Sequence, residues 1–137
     1  MLINYSNREE TDKIYLHDSE FEGFKYDYEN RQITMTCKNY YFKKISYFKF
    51  NNVIFSRLQS CGFWGFTLCI YAIYLIETPV EFVQEIANVQ EERPDWIKSS
   101  YIGDGTEFFA VEIKVISGDV FQIVCESIVY TESGFDE

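Results

Sequence analysis

Phe109-Ala110-Val111-Glu112-Ile113-Lys114-Val115-Ile116-Ser117-Gly118-Asp119-Val120-Phe121-Gln122-Ile123-Val124-Cys125-Glu126-Ser127 decides the fold class of this chain. Phe109, Val111, Ile113 and Val115 alternate with Ala110, Glu112 and Lys114. Phe121, Ile123, Cys125 and Ser127 alternate with Gln122, Val124 and Glu126. A period of two is a strand with one buried face. Ser117-Gly118-Asp119 supplies turn residues between the two runs. A two-residue Gly118-Asp119 loop would set Val115 against Gln122 and mix polar with apolar on both faces. A three-residue loop pairs Val115 with Phe121, Ile113 with Ile123, Val111 with Cys125 and Phe109 with Ser127. One face is then almost wholly apolar, so burial is expected to select that register.

The same period recurs upstream. Phe24, Tyr26 and Tyr28 alternate with Lys25, Asp27 and Glu29, and Ile33, Met35 and Cys37 alternate with Thr34 and Thr36. Glu29-Asn30-Arg31 turns one run into the other, a second hairpin. Ile45–Phe50 is rich in strand formers. Its apolar phase shifts across Asn51-Asn52, from Phe48 and Phe50 to Val53 and Phe55, which calls for a bulge or a turn. Leu68–Ile76 is apolar on both faces, as a covered central strand would be. One helix is signalled near 79–90: Thr78 at the cap, Pro79 first inside and Glu81 three residues on, then Phe82, Val83, Ile86 and Val89 on one face. The reading is a mainly β (α+β) fold. It expects an antiparallel sheet or sandwich of about six to seven strands plus that helix, since one helix cannot serve parallel crossovers.

With 137 residues the chain reads as a single domain, 1–137. Thirteen Phe, eleven Tyr and two Trp supply a large core and exclude disorder. No secretory signal core is seen, and Phe63–Ile76, broken by Gly65 and Thr67, is shorter than the roughly 20 residues a spanning helix needs. A cytoplasmic location is therefore expected. Cys37, Cys61, Cys69 and Cys125 form no Cys-x-x-Cys motif, so they are expected to be reduced thiols, with no metal and no cofactor implied.

Charge is distributed unevenly. Residues 1–35 carry −4, residues 36–76 carry +5 with no acid at all, and residues 77–137 carry −11, for a net −10. The total favours a cationic protein partner and disfavours nucleic acid or an anionic membrane. The basic middle reads either as a binding stripe or as charge neutralised inside the fold by acidic neighbouring strands, and the second, which needs no partner, is preferred.

Motifs that carry chemistry are few. The one histidine, His17, precedes Asp18. That pair could serve as a base with an orienting carboxylate, or simply as a turn entering the first strand, and the turn is the preferred reading. Cys61-Gly62-Phe63-Trp64-Gly65-Phe66 offers an indole between glycines, a residue favoured at binding hot spots. Lys38-Asn39-Tyr40-Tyr41-Phe42-Lys43-Lys44 mixes bases with aromatics, as single-strand binders do, but reads better as a solvated strand end. His17, Asp18 and Trp64 are the candidate binding residues. No catalytic set and no metal site are identified, and there is no phosphate loop, nucleophile elbow or zinc motif.

Leu16-His17-Asp18-Ser19, the hairpin Phe24–Cys37, the segment Phe48–Val53 and the Ser117-Gly118-Asp119 hairpin with Ile123-Val124-Cys125 together resemble a loose group of small bacterial proteins of unknown function. Some of these are similar to immunity proteins of polymorphic toxin systems. The resemblance spans residues 16–130. It implies a cytoplasmic, non-enzymatic bacterial protein and carries over no functional residues. Two function classes follow: an acidic protein-binding module of the immunity type, which neutralises a partner, or a small-ligand-binding or enzymatic domain with an aromatic-lined pocket.

Overall fold

The computed structural model describes residues 1–58, 69–76, 107–116, 118 and 120–135. In chain order these form β1 (Leu2–Asn4), a 3-10 helix (Tyr5–Lys13), β2 (Ser19–Asp27), β3 (Gln32–Asn39), β4 (Lys44–Asn51), β5 (Phe55–Leu58), β6 (Cys69–Ile76), β7 (Phe109–Val115), β8 (Val120–Cys125) and β9 (Ser127–Gly134). Among the described residues every strand pair is antiparallel, in one sheet of order β1-β9-β4-β3-β2-β6-β7-β8-β5. The mainly β, antiparallel fold is the expected one. The expected helix near 79–90 and the Cys61–Phe66 loop with Trp64 lie outside the described residues.

Among the described residues nine strands stand where about six to seven were expected, because two long strands are each bent in the middle. β4 and β5 are halves of one run, broken at Asn52, whose φ is 50. β8 and β9 are halves of another, broken at Glu126. The two runs lie antiparallel over their whole length, Lys44–Asn51 against Ser127–Gly134 and Phe55–Leu58 against Phe121–Val124. At the bend, Glu126 N donates to Asn51 O at 3.1 Å and Asn52 Nδ2 donates to Glu126 Oε2 at 2.7 Å. The phase shift read across Asn51-Asn52 is this corner.

The bends close the sheet on itself. β4/β5 pairs with β3, β3 with β2, β2 with β6, β6 with β7, β7 with β8, and β8/β9 returns to β4/β5. The circuit is a six-stave barrel, with β1 laid on the free side of β9. The seam between β2 and β6 is the shortest, with Ser19 opposite Ile70 and Glu20 opposite Cys69. Inward residues fill the interior as one cluster: Ile33, Met35, Cys37, Phe48, Phe50, Ile113, Phe121 and Ile123 are all buried. Gly23 sits in a β-bulge at φ 145, a conformation side chains resist, and the extra residue turns Phe21 and Phe24 to the same face. Both rings then cross the interior to Phe121, with centroids 5.3 and 5.0 Å apart.

In the last hairpin the apolar face is as read: Phe109, Val111, Ile113, Val115, Phe121, Ile123 and Cys125 are buried. The register differs by two. Ile113 faces Phe121, Val111 faces Ile123 and Phe109 faces Cys125, with Lys114 opposite Val120. A shift of two keeps every side chain on its face, so alternation alone cannot choose between the two registers. The observed one goes with contacts on both sides of β7. Val115 is paired with Ile70 of β6, and Ile116 N donates to Cys69 O at 2.8 Å. On the outer face Ala110 lies opposite Val124, and both are buried with Ile54, Phe55, Ile76 and Phe108 against them.

The 3-10 helix carries no apolar period and gave no sequence signal. Asn4 caps it, accepting from Ser6 N at 3.1 Å and Asn7 N at 3.3 Å, and Asn7 Oδ1 accepts from Asn4 N at 2.7 Å.

Candidate functional site

The β3–β4 turn, Tyr40–Lys43, projects three consecutive aromatics from one mouth of the barrel. The turn is built by Asn39, which is buried and whose Oδ1 accepts from Phe42 N at 2.9 Å, and by Lys43 at φ 52. Its aromatics cannot reach the core from there. Tyr41 is 86% exposed, and Tyr40 and Phe42 are more than half exposed. They are not isolated. Phe42 meets the edge of Tyr15 at 6.0 Å, Tyr41 meets Phe42 at 4.9 Å, and Tyr40 meets Phe135 at 5.3 Å. The result is an aromatic rim assembled from the segment before β2, the β3–β4 turn and the end of β9.

Beneath the rim the barrel mouth is polar. Lys44 Nζ pairs with Glu132 Oε1 at 3.0 Å, and the same carboxylate oxygen accepts from the Tyr130 hydroxyl. Ser46 Oγ lies 3.4 Å from that hydroxyl. Burial, then the bond to Glu132, pushes the Tyr130 hydroxyl well above its usual range. The Tyr130 hydrogen bond and then Lys44 hold the Glu132 carboxyl below its usual range. Lys38 pairs with Glu22 at 3.1 Å. Two bases of the middle segment, Lys38 and Lys44, thus meet acids from the two flanking regions.

His17 stands at the rim's edge, partly exposed, with Nδ1 3.0 Å from Asp18 Oδ2. Its ring lies 6.3 Å from Tyr15. Asp18 has φ 63, its N donates to Ile70 O at 3.0 Å, and Ser19 N donates to Leu16 O at 2.9 Å. The turn reading is right about the backbone. It needs one correction: the Asp18 carboxylate is placed on His17, and the bonds that fix the turn come from main chain. Trp64, the third candidate, lies outside the described residues.

An open groove of about 520 Å³ adjoins the rim between Asp12–His17 and the edge of β6. Asp12, Tyr15, His17 and Tyr74 supply its polar and aromatic groups, over Ile14, Leu16, Ala72, Ile73 and Leu75. Tyr15 belongs to both rim and groove. Sequence reading missed Asp12, Tyr15, Tyr74 and Phe135. It did single out Tyr40-Tyr41-Phe42, but as a strand end; the available signal was three consecutive aromatics in a turn that leaves each more than half exposed.

Among the described residues, no group of three or more His, Cys, Asp or Glu side chains is placed to hold a metal ion. No helix among them is long and apolar enough to cross a membrane. No family model, no curated protein and no solved structure matches the chain.

Proposed function

We propose that this chain is a non-enzymatic protein-binding module that docks its partner through the aromatic rim. The observation that carries this reading is the row Tyr15, Phe42, Tyr41, held out into solvent on a turn whose backbone is fixed. Tyrosine and phenylalanine at such positions are large, stiff anchors that lose little entropy on binding. A net charge of −10 steers the module toward a cationic protein and speeds encounter at low salt. The resemblance of residues 16–130 to immunity-like proteins gives the reading its specific form, a bacterial, cytoplasmic protein that neutralises a toxin.

The test is a comparison of capture by the wild-type chain, by a Tyr41→Ser/Phe42→Ser variant and by a Tyr28→Ser control. Tyr28 is also highly exposed but sits at the β2–β3 turn. A cationic protein retained by wild type and control and lost by the rim variant supports the reading; equal capture by all three overturns it. The immunity form adds that the captured protein is toxic when expressed alone and tolerated with this chain.

A second reading, a small-ligand-binding or enzymatic domain, draws on the groove beside His17, which brings Asp12 near an aromatic wall. Its mark would be a metabolite that copurifies with the folded protein and is lost on replacing His17.

A further inference from the structure

Among the described residues that line the groove beside the rim, the one carboxylate is that of Asp12. The same lining contains the rings of Tyr15, His17 and Tyr74, and among the described residues Lys114 Nζ approaches it only at Tyr74. Leu75 N donates to Asp12 Oδ1 at 2.9 Å, which anchors the carboxylate to the edge of β6. A carboxylate offers about four acceptor sites, so this bond leaves capacity for a second donor. Aromatic faces attract cations, and a guanidinium both stacks on rings and matches a carboxylate with its planar fork. The chain already pairs cations with tyrosines: the Arg8 guanidinium carbon lies 4.0 Å from the Tyr5 ring centre and Lys114 Nζ 5.7 Å from that of Tyr74. Ala72, with the small exposed parts of Ile14 and Leu75, gives the groove apolar surface for the methylene stem of a long cationic side chain.

We propose that this groove receives an arginine side chain of the partner protein, its guanidinium paired with Asp12 and lying against Tyr15. The assignment rests on the protein-binding reading and gives that partner its chemistry. A volume of about 520 Å³ accommodates the side chain with some of its flanking backbone. Arginine is preferred to lysine because a compact ammonium gains less from a ring and a carboxylate side by side.

The probe is acetyl-Gly-Arg-Gly-amide, set against its citrulline counterpart, which keeps the shape and loses the charge. The Leu75 amide is the reporter, since it is bonded to Asp12. The arginine peptide is expected to shift the Leu75 amide and the ring resonances of Tyr15 saturably in the millimolar range, and the citrulline peptide to bind at least about fivefold more weakly. Asp12→Asn keeps an acceptor for Leu75 and should lose about fivefold or more in affinity, as should Tyr15→Leu. Equal binding of the two peptides, or shifts that map away from the groove, overturns the assignment. So does a Leu75 amide that stays still. A partner held through Tyr41 and Phe42 while the arginine peptide fails overturns the groove assignment alone and leaves the rim reading standing.

Discussion

Asp18 contributes more through its backbone than through its charge. It sits at φ 63, a left-handed conformation that costs most side chains roughly 1–2 kcal/mol and that Asn, Asp and Gly tolerate best. Asp18→Gly should therefore change stability by less than about 0.5 kcal/mol, while Asp18→Val should lose about 1–2 kcal/mol, read from denaturant midpoints. Equal losses would mean that the His17 contact, not the backbone, sets the requirement. Cysteine reactivity is set in the same local way. Burial pushes the Cys37 thiol up to about 12 and raises Cys125 further, while Cys69, less covered, is raised by partial burial and then by Glu20 and Asp18. A thiolate-seeking reagent at about pH 8 should leave Cys37 and Cys125 untouched in the native state, and all four cysteines should titrate after denaturation without reductant. Native labelling of Cys37 within minutes, or two thiols missing after denaturation, would contradict this. Glu132 gives the pH dependence its sign. Its folded carboxyl is held low by Tyr130 and Lys44, so its stabilisation is complete above the ordinary value of 4.5 and is lost as pH falls through the lower folded value. Wild type should thus lose more stability than Glu132→Gln on acidification below 4.5. Parallel loss in both proteins would remove Glu132 from the account.

At the scale of elements, alternation and turn chemistry were the legible part. β3, β7 and β8 show a period of two in sequence and bury the face that period marks, with Ala110 and Val124 buried on the other face as well. β2 is where alternation misleads: Phe24, Tyr26 and Tyr28 share a phase, yet Tyr28 is 84% exposed and Tyr26 nearly half exposed. The two tyrosines lie past the end of the interior and stack on each other with ring centres 5.8 Å apart. Nothing in a phase count says where a barrel ends. The bulge at Gly23 was hidden for a similar reason, since a lone glycine in a strand has several uses. Its role is now testable. Gly23→Ala has open space for a methyl group but must hold φ 145, and should lose about 1–3 kcal/mol by denaturant unfolding. A neutral outcome would show that the strand can shift its register past the bulge. The rim was only half legible. Tyr40, Tyr41 and Phe42 stand out in the chain, but their partners Tyr15 and Phe135 are distant in sequence, and only the closed sheet brings them together.

The molecule as a whole is held by a circuit of backbone pairing around an aromatic interior. Phe48 and Phe50 from β4 and Phe121 from β8 are all buried in it. Phe48→Ala should lose about 3–5 kcal/mol, the usual range for a buried phenylalanine. Hydrogen exchange should follow the pairing. Amides of β3 and β4, flanked on both sides, are expected to exchange most slowly, and those of the three-residue β1, with one neighbour, fastest among the strands. Fast exchange across Thr34–Cys37 would mean that the circuit is not closed in solution.

The corner where Asn51 and Asn52 meet Glu126 has a consequence for how the chain is made. Among the described residues, Phe55–Leu58 and the side of Lys44–Asn51 turned away from β3 find their partners only in residues 121–134, and Leu2 waits for Val129. On the ribosome, the first half of the chain can form its local β2–β3–β4 meander but cannot seal it. A strand edge stays open until residues 121–134 emerge, and such distant pairing is slow. Such an exposed edge is the kind of surface that nascent chains must keep from one another. A chain stopped before Ser127 should accumulate as aggregate, while the full chain, once released, closes its own edge.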